Sequence, residues 1–102
     1  MKGIIVQYTV KEEFVETNKA NIQQVMADLR EINNPDIKYS SFLRQDGKSF
    51  VHFVLRLNDE AQKTVSELPS FQEFQRQLKE SGPEAPPSAQ DLSLVGSSWD
   101  FF

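Results

Sequence analysis

The segment from Ser49 to Leu57 reads SFVHFVLRL, and it is apolar on both of the faces that a β-strand presents. Phe50, His52, Val54 and Arg56 fall on one side, and Val51, Phe53, Leu55 and Leu57 on the other. An antiparallel sheet with one wet face alternates apolar with polar residues, so a strand of this kind must be covered from both sides. The run is joined to Ile37–Arg44 through Gln45-Asp46-Gly47-Lys48, and Asp-Gly between two β-rich runs is the strongest short-range signal of a hairpin. With Asp46 and Gly47 at the turn, Tyr39 faces Val54, Ser41 faces His52 and Leu43 faces Phe50.

The rest of the chain supplies the cover for one side only. Residues from Gly3 to Val10 alternate as a strand, with Ile4, Val6, Tyr8 and Val10 on one face. From about Phe14 to Asn33, Ile22, Val25, Met26, Leu29 and Ile32 recur at helical spacing while Asn18, Lys19 and Gln23 fall elsewhere, until Asn34-Pro35 ends the helix. Asn58-Asp59-Glu60 opens a short helix to about Glu67, since Asn or Asp caps the first turn and acids there suit the helix dipole. Pro69 starts another, in which Phe71, Phe74 and Leu78 repeat until Ser81-Gly82 closes it. Residues 82–89 hold three of the five prolines and read as a connector, with a last strand expected at Asp91–Val95 and an aromatic tail over residues 96–102.

The order strand, helix, hairpin, helix, strand predicts an α+β class, a ferredoxin-like βαββαβ unit with an antiparallel sheet. A length of 102 residues leaves room for a single domain over 1–102. Two helices cover one face of that sheet, so the other is left for a partner or for the aromatic tail, docked on this chain or on its twin, and the reading carried forward is a homodimer. Eleven basic residues scattered among fifteen acidic ones, with a net charge of -4, argue against nucleic acid or an anionic membrane as partner. The absence of cysteine removes thiolate nucleophiles and Cys-ligated metals, and a lone histidine removes two-histidine metal sites, so neither a metal nor a cofactor is expected. No apolar run approaches the length of a signal-peptide core or a membrane span, and the expected location is cytoplasmic.

The opening strand, the long first helix, the Asn34-Pro35-Asp36 bend, Asn58-Asp59-Glu60-Ala61 and above all Leu68-Pro69-Ser70-Phe71-Gln72-Glu73-Phe74 resemble the antibiotic-biosynthesis-monooxygenase superfamily. The resemblance implies a ferredoxin-like subunit whose sheet packs against that of a twin to form a dimeric α/β barrel. It implies two functional readings. One is a homodimeric barrel of unassigned activity that binds a small molecule or serves a stress-related role. The other is a cofactor-independent monooxygenase acting on a small aromatic, quinol-like substrate. Haem-degrading relatives carry Asn, Trp and His at positions that fall on Tyr8, Val65 and Gln75 here, so haem degradation is not expected. Members of the superfamily normally place a small polar cap before the proline, where this chain has Leu68.

His52 is the natural general base for a phenolic or enolic proton, with Tyr8 and Tyr39 as the accompanying catalytic candidates. Gln7, Ser41 and Arg56 complete the expected polar set. Phe71, Phe74 and Trp99, together with Phe14 and Met26, are the apolar residues expected to line a binding pocket. Against this stands the plainer expectation that helically spaced aromatics are core and that the polar residues serve an interface between sheets.

Overall fold

The computed structural model describes all 102 residues. Its elements are β1 (Lys2–Thr9), a 3-10 turn (Glu12–Phe14), α1 (Val15–Ile32), β2 (Ile37–Leu43), β3 (Ser49–Arg56), α2 (Asp59–Glu67), α3 (Pro69–Glu80) and β4 (Ala85–Leu92). The four strands form one antiparallel sheet in the order β2-β3-β1-β4. This is the ferredoxin-like α+β arrangement, with the first and third strands at the centre.

The hairpin has the register that Asp46-Gly47 predicts: Tyr39 opposite Val54, Ser41 opposite His52, Leu43 opposite Phe50. The turn is longer than two residues, because Gly47 N donates to Arg44 O at 3.0 Å and Arg44 N to Ser49 O at 2.8 Å. Gly47 takes a φ of 78°, where a side chain would be strained, and the Asp46 carboxylate accepts from the Lys48 and Ser49 amides at 3.0 and 2.8 Å. Asn58 caps α2 by accepting from Ala61 N at 2.9 Å. Leu68 ends α2 and begins α3, and its side chain is buried in the core, which explains an apolar residue where a cap is usual.

One face of the sheet meets the helices. Tyr8, Val10 and Phe50 join Val15, Ile22 and Val25 of α1 and Phe74 and Leu78 of α3 in the core. The other face has no helix over it; Phe42 and Phe53 stand there 56% and 38% exposed with their rings 6.0 Å apart, and Phe53 and Leu55 share a groove with Trp99 and Phe101 of the tail. The two-faced apolarity of β3 therefore persists in the folded subunit, with only one side covered by helices. No helix is long and apolar enough to cross a membrane.

Three expectations need correction. The proline-rich segment is not a connector: β4 runs over Ala85–Leu92, and no strand covers residues 93–95. Pro86 and Pro87 are admitted because β4 is an edge strand and because both lie at a bulge, two residues opposite the single Tyr8. Asn18, placed off the buried stripe of α1, is fully buried, whereas Ile32 at the end of that stripe is 45% exposed. Spacing explains the first, since Asn18 lies four residues before Ile22 and seven before Val25, while Ile32 is the last residue of the helix.

Candidate functional site

β1 and β3 are adjacent, and their alternation puts Tyr8 and His52 on the helix-facing side, next to Tyr39 from β2. The Tyr8 hydroxyl lies 2.7 Å from His52 Nε2, and the Tyr39 hydroxyl 2.9 Å from His52 Nδ1. Asn18 Nδ2 donates to the Tyr8 hydroxyl at 2.9 Å. Ser41 Oγ sits at 3.5 Å from Nε2, the outer limit of a hydrogen bond. The result is one chain of polar groups, Asn18–Tyr8–His52–Tyr39, within an otherwise apolar interior. The imidazole stacks on Tyr8 at 5.3 Å and tilts against Phe74 at 5.6 Å, and Phe71 meets Tyr39 edge-on at 6.4 Å.

Beside this chain lies a cavity of about 470 Å³. Tyr8, Tyr39 and His52 form its polar wall, Phe71, Phe74 and Leu78 of α3 its apolar wall, and Pro83, Pro86 and Pro87 close the side toward β4. Gln75 and Lys79 are the remaining polar groups at the rim. Such a volume lies in the usual range for small-molecule sites, as does a mainly apolar lining with a few convergent polar groups.

Burial sets the electrostatics. His52 is 2% exposed, and desolvation lowers its pKa to about 4, so at neutral pH the imidazole is uncharged and carries one N–H. Burial also raises the Tyr8 phenol, opposed by its Asn18 hydrogen bond, and raises Tyr39, with Tyr8 adding to the effect. Proton counting follows from this neutrality. A neutral imidazole donates through one nitrogen and accepts through the other, so one tyrosine gives its proton to His52 and the other receives one. The receiving tyrosine keeps a spare O–H beside the cavity in either tautomer.

The structure brings together part of the set picked out by residue type. Tyr8, Tyr39, His52, Phe71 and Phe74 meet around the cavity, with Ser41 behind the imidazole. Gln7 is on the opposite face, where its side chain accepts from Arg44 at 3.3 Å. Arg56 ends β3 opposite Lys2 and Ile37, away from the cavity. Phe14 and Met26 pack against the core. Trp99 is 69% exposed and lines a separate groove with residues of α1, β2 and β3, among them Phe53 and Leu55, because β4 ends early and the tail reaches the far edge of the sheet. There the Phe102 ring lies 5.8 Å from Lys38 Nζ.

Asn18 and the prolines of the cavity wall are site residues that residue type did not flag. Helical spacing marks Asn18 as inward-facing, but nothing local ties the prolines to a ligand, since they reach the cavity only through the pairing of β4 with β1. Of the three haem-associated positions, Tyr8 and Gln75 line the cavity while Val65 is buried in α2 without lining it.

No protein-family model matches the sequence, and neither does any curated protein. Solved structures do match in shape. One is an antibiotic biosynthesis monooxygenase, at a TM-score of 0.75 and 13% identity, covering 94% of this chain and 100% of that one. Another is a variant of SnoaB, a cofactor-independent oxygenase from Streptomyces nogalater, at 0.71 and 11%, covering 97% of each chain. A third is Rv0793 from Mycobacterium tuberculosis, at 0.78 and 14%, covering 96% and 98%. At such identities the likeness speaks for architecture, and the chemistry has to be argued from the site. The chain carries, over nearly its whole length, the ferredoxin-like α+β fold of the antibiotic-biosynthesis-monooxygenase structures.

Proposed function

We propose that this protein binds a small hydroxylated aromatic ring in the cavity beside His52 and oxygenates it without a cofactor, as a homodimer joined through its helix-free sheet faces. The observation that carries this reading is the Tyr8–His52–Tyr39 chain opening onto an apolar cavity. A quinol needs to become an anion before it reacts with oxygen. The spare tyrosine O–H stabilises the developing phenolate, and the tyrosine bonded to the bare imidazole nitrogen relays a proton to His52. Burial makes His52 a weak base in the empty cavity, but a phenolate beside it restores proton affinity by direct attraction.

The reaction balances without an added reductant. Hydroquinone and O2 give hydroxyquinone and water: one oxygen atom replaces a ring hydrogen and the other leaves as water, with all electrons drawn from the substrate. The apolar walls from α3 and the prolines shield the anion on those sides of the cavity. SnoaB, which shares the fold, is a cofactor-independent oxygenase, and this supports the same class of chemistry here.

The test is oxygen uptake with a panel of hydroquinones, with hydroxyquinone identified by mass. His52→Ala lowers the rate by on the order of 100-fold or more, the usual worth of a positioned acid–base group. A second reading, ligand binding without catalysis, draws on one observation, the depressed basicity of His52. Saturable binding of the same rings with no oxygen uptake across the panel decides for that reading and against oxygenation.

A further inference from the structure

The hydrogen-bond chain has a direction, and a residue outside the cavity sets it. Asn18 projects from α1, is fully buried and does not line the cavity. Its Nδ2 donates to the Tyr8 oxygen at 2.9 Å, while its Oδ1 has no partner. Turning the amide over would strand both N–H donors in the core, and buried orphan donors are rarer than under-satisfied carbonyls. With one N–H already on its oxygen, Tyr8 is better placed to send its own proton to His52 Nε2, 2.7 Å away, than to accept a second proton there. Ser41 Oγ lies 3.5 Å from the same nitrogen, too far to displace Tyr8 from its single lone pair. The imidazole proton then lies on Nδ1 and points at the Tyr39 oxygen at 2.9 Å.

We infer that Asn18 is a positioning residue: by donating to Tyr8 it holds the His52 proton on Nδ1 and leaves the Tyr39 hydroxyl as the group that donates into the cavity. Tyr8 then becomes the route by which a proton reaches the imidazole, and the two tyrosines have different roles. This division of roles rests on the phenol-binding reading, whereas the tautomer is a property of the empty protein and is measured without any ligand.

His52 is the only histidine, so a long-range proton–nitrogen NMR spectrum contains a single imidazole. The nitrogen bearing the proton resonates far upfield of the bare one. The wild type shows the Nδ1–H form. Asn18→Asp, recorded where the carboxyl is ionised, offers Tyr8 an acceptor in place of a donor; the chain reverses and the Nε2–H form appears. Asn18→Leu keeps the volume and removes the donor, giving a mixture of both forms. An Nε2–H wild type overturns the inference. So does a pure Nδ1–H form in either folded variant, and Asn18→Leu keeps the test decisive if Asn18→Asp does not fold. An unchanged tautomer with intact ligand binding sinks the role of Asn18 alone, whereas the expected tautomers with no ring bound sink the phenol reading instead.

Discussion

Acidification should loosen this protein through one imidazole. His52 is 2% exposed, its pKa is lowered from near 6.5 to about 4 by burial, and both its nitrogens are engaged by tyrosines. Between those values the unfolded chain takes up a proton that the folded chain refuses. Stability from this site is therefore complete above about pH 6.5 and is lost as pH falls through about 4. At about 1.4 kcal/mol per pKa unit the whole effect is about 3 kcal/mol, of which about 2 kcal/mol has gone by pH 5. That is a large share of the stability of a small domain.

Asp46 and Glu73, each held at about 2 by hydrogen bonds, keep their full contribution above the ordinary carboxylate range and lose it only below, so the window from pH 5 to 6.5 isolates His52. The assay is urea unfolding followed by circular dichroism at steps across that window, for wild type and His52→Gln, which cannot titrate. The wild type loses stability toward pH 5 and the variant stays level. Parallel curves, or an NMR titration of the imidazole with its midpoint above pH 6, would refute the argument that burial dominates.

Three further outcomes follow from the structure. Phe53→Asp places a charge at the centre of the helix-free face of the sheet, and for the proposed homodimer sedimentation velocity reads a shift toward monomer; burial of a Phe side chain contributes roughly 1.5–3 kcal/mol to such an interface. Asn58→Ala removes the acceptor for Ala61 N and costs about 1 kcal/mol in urea unfolding, with the cavity unaffected. Gly47→Val forces a β-branched residue to a φ of 78°, and thermal unfolding shifts downward by the equivalent of about 1–2 kcal/mol.

The parts of the fold that were legible are those set by neighbours in sequence. Asp46-Gly47 fixes a turn, the turn fixes the register, and the register carries His52 to the same side as Tyr39. The position of β4 was not legible, because proline argues against a strand unless the strand is at an edge, and edge position is a property of the whole sheet. The burial of Asn18 is hidden for a related reason: its polarity argues against its spacing, and the partner that makes burial tolerable, the Tyr8 hydroxyl, arrives from a different element. Chemistry alone points Trp99 to the pocket, but the path of the chain after Leu92 carries it to the opposite margin of the sheet.

The two margins of that sheet differ in what they permit. Along β4 the tandem imide nitrogens of Pro86 and Pro87 interrupt the row of amide hydrogens that an incoming strand would grasp, and the bulge beside them bends what remains. Ile37–Leu43, at the other margin, contains no proline and offers an unbroken ladder. Growth by strand addition, whether by a peptide ligand or in the first step of aggregation, is thereby blocked on one flank and directed to the other.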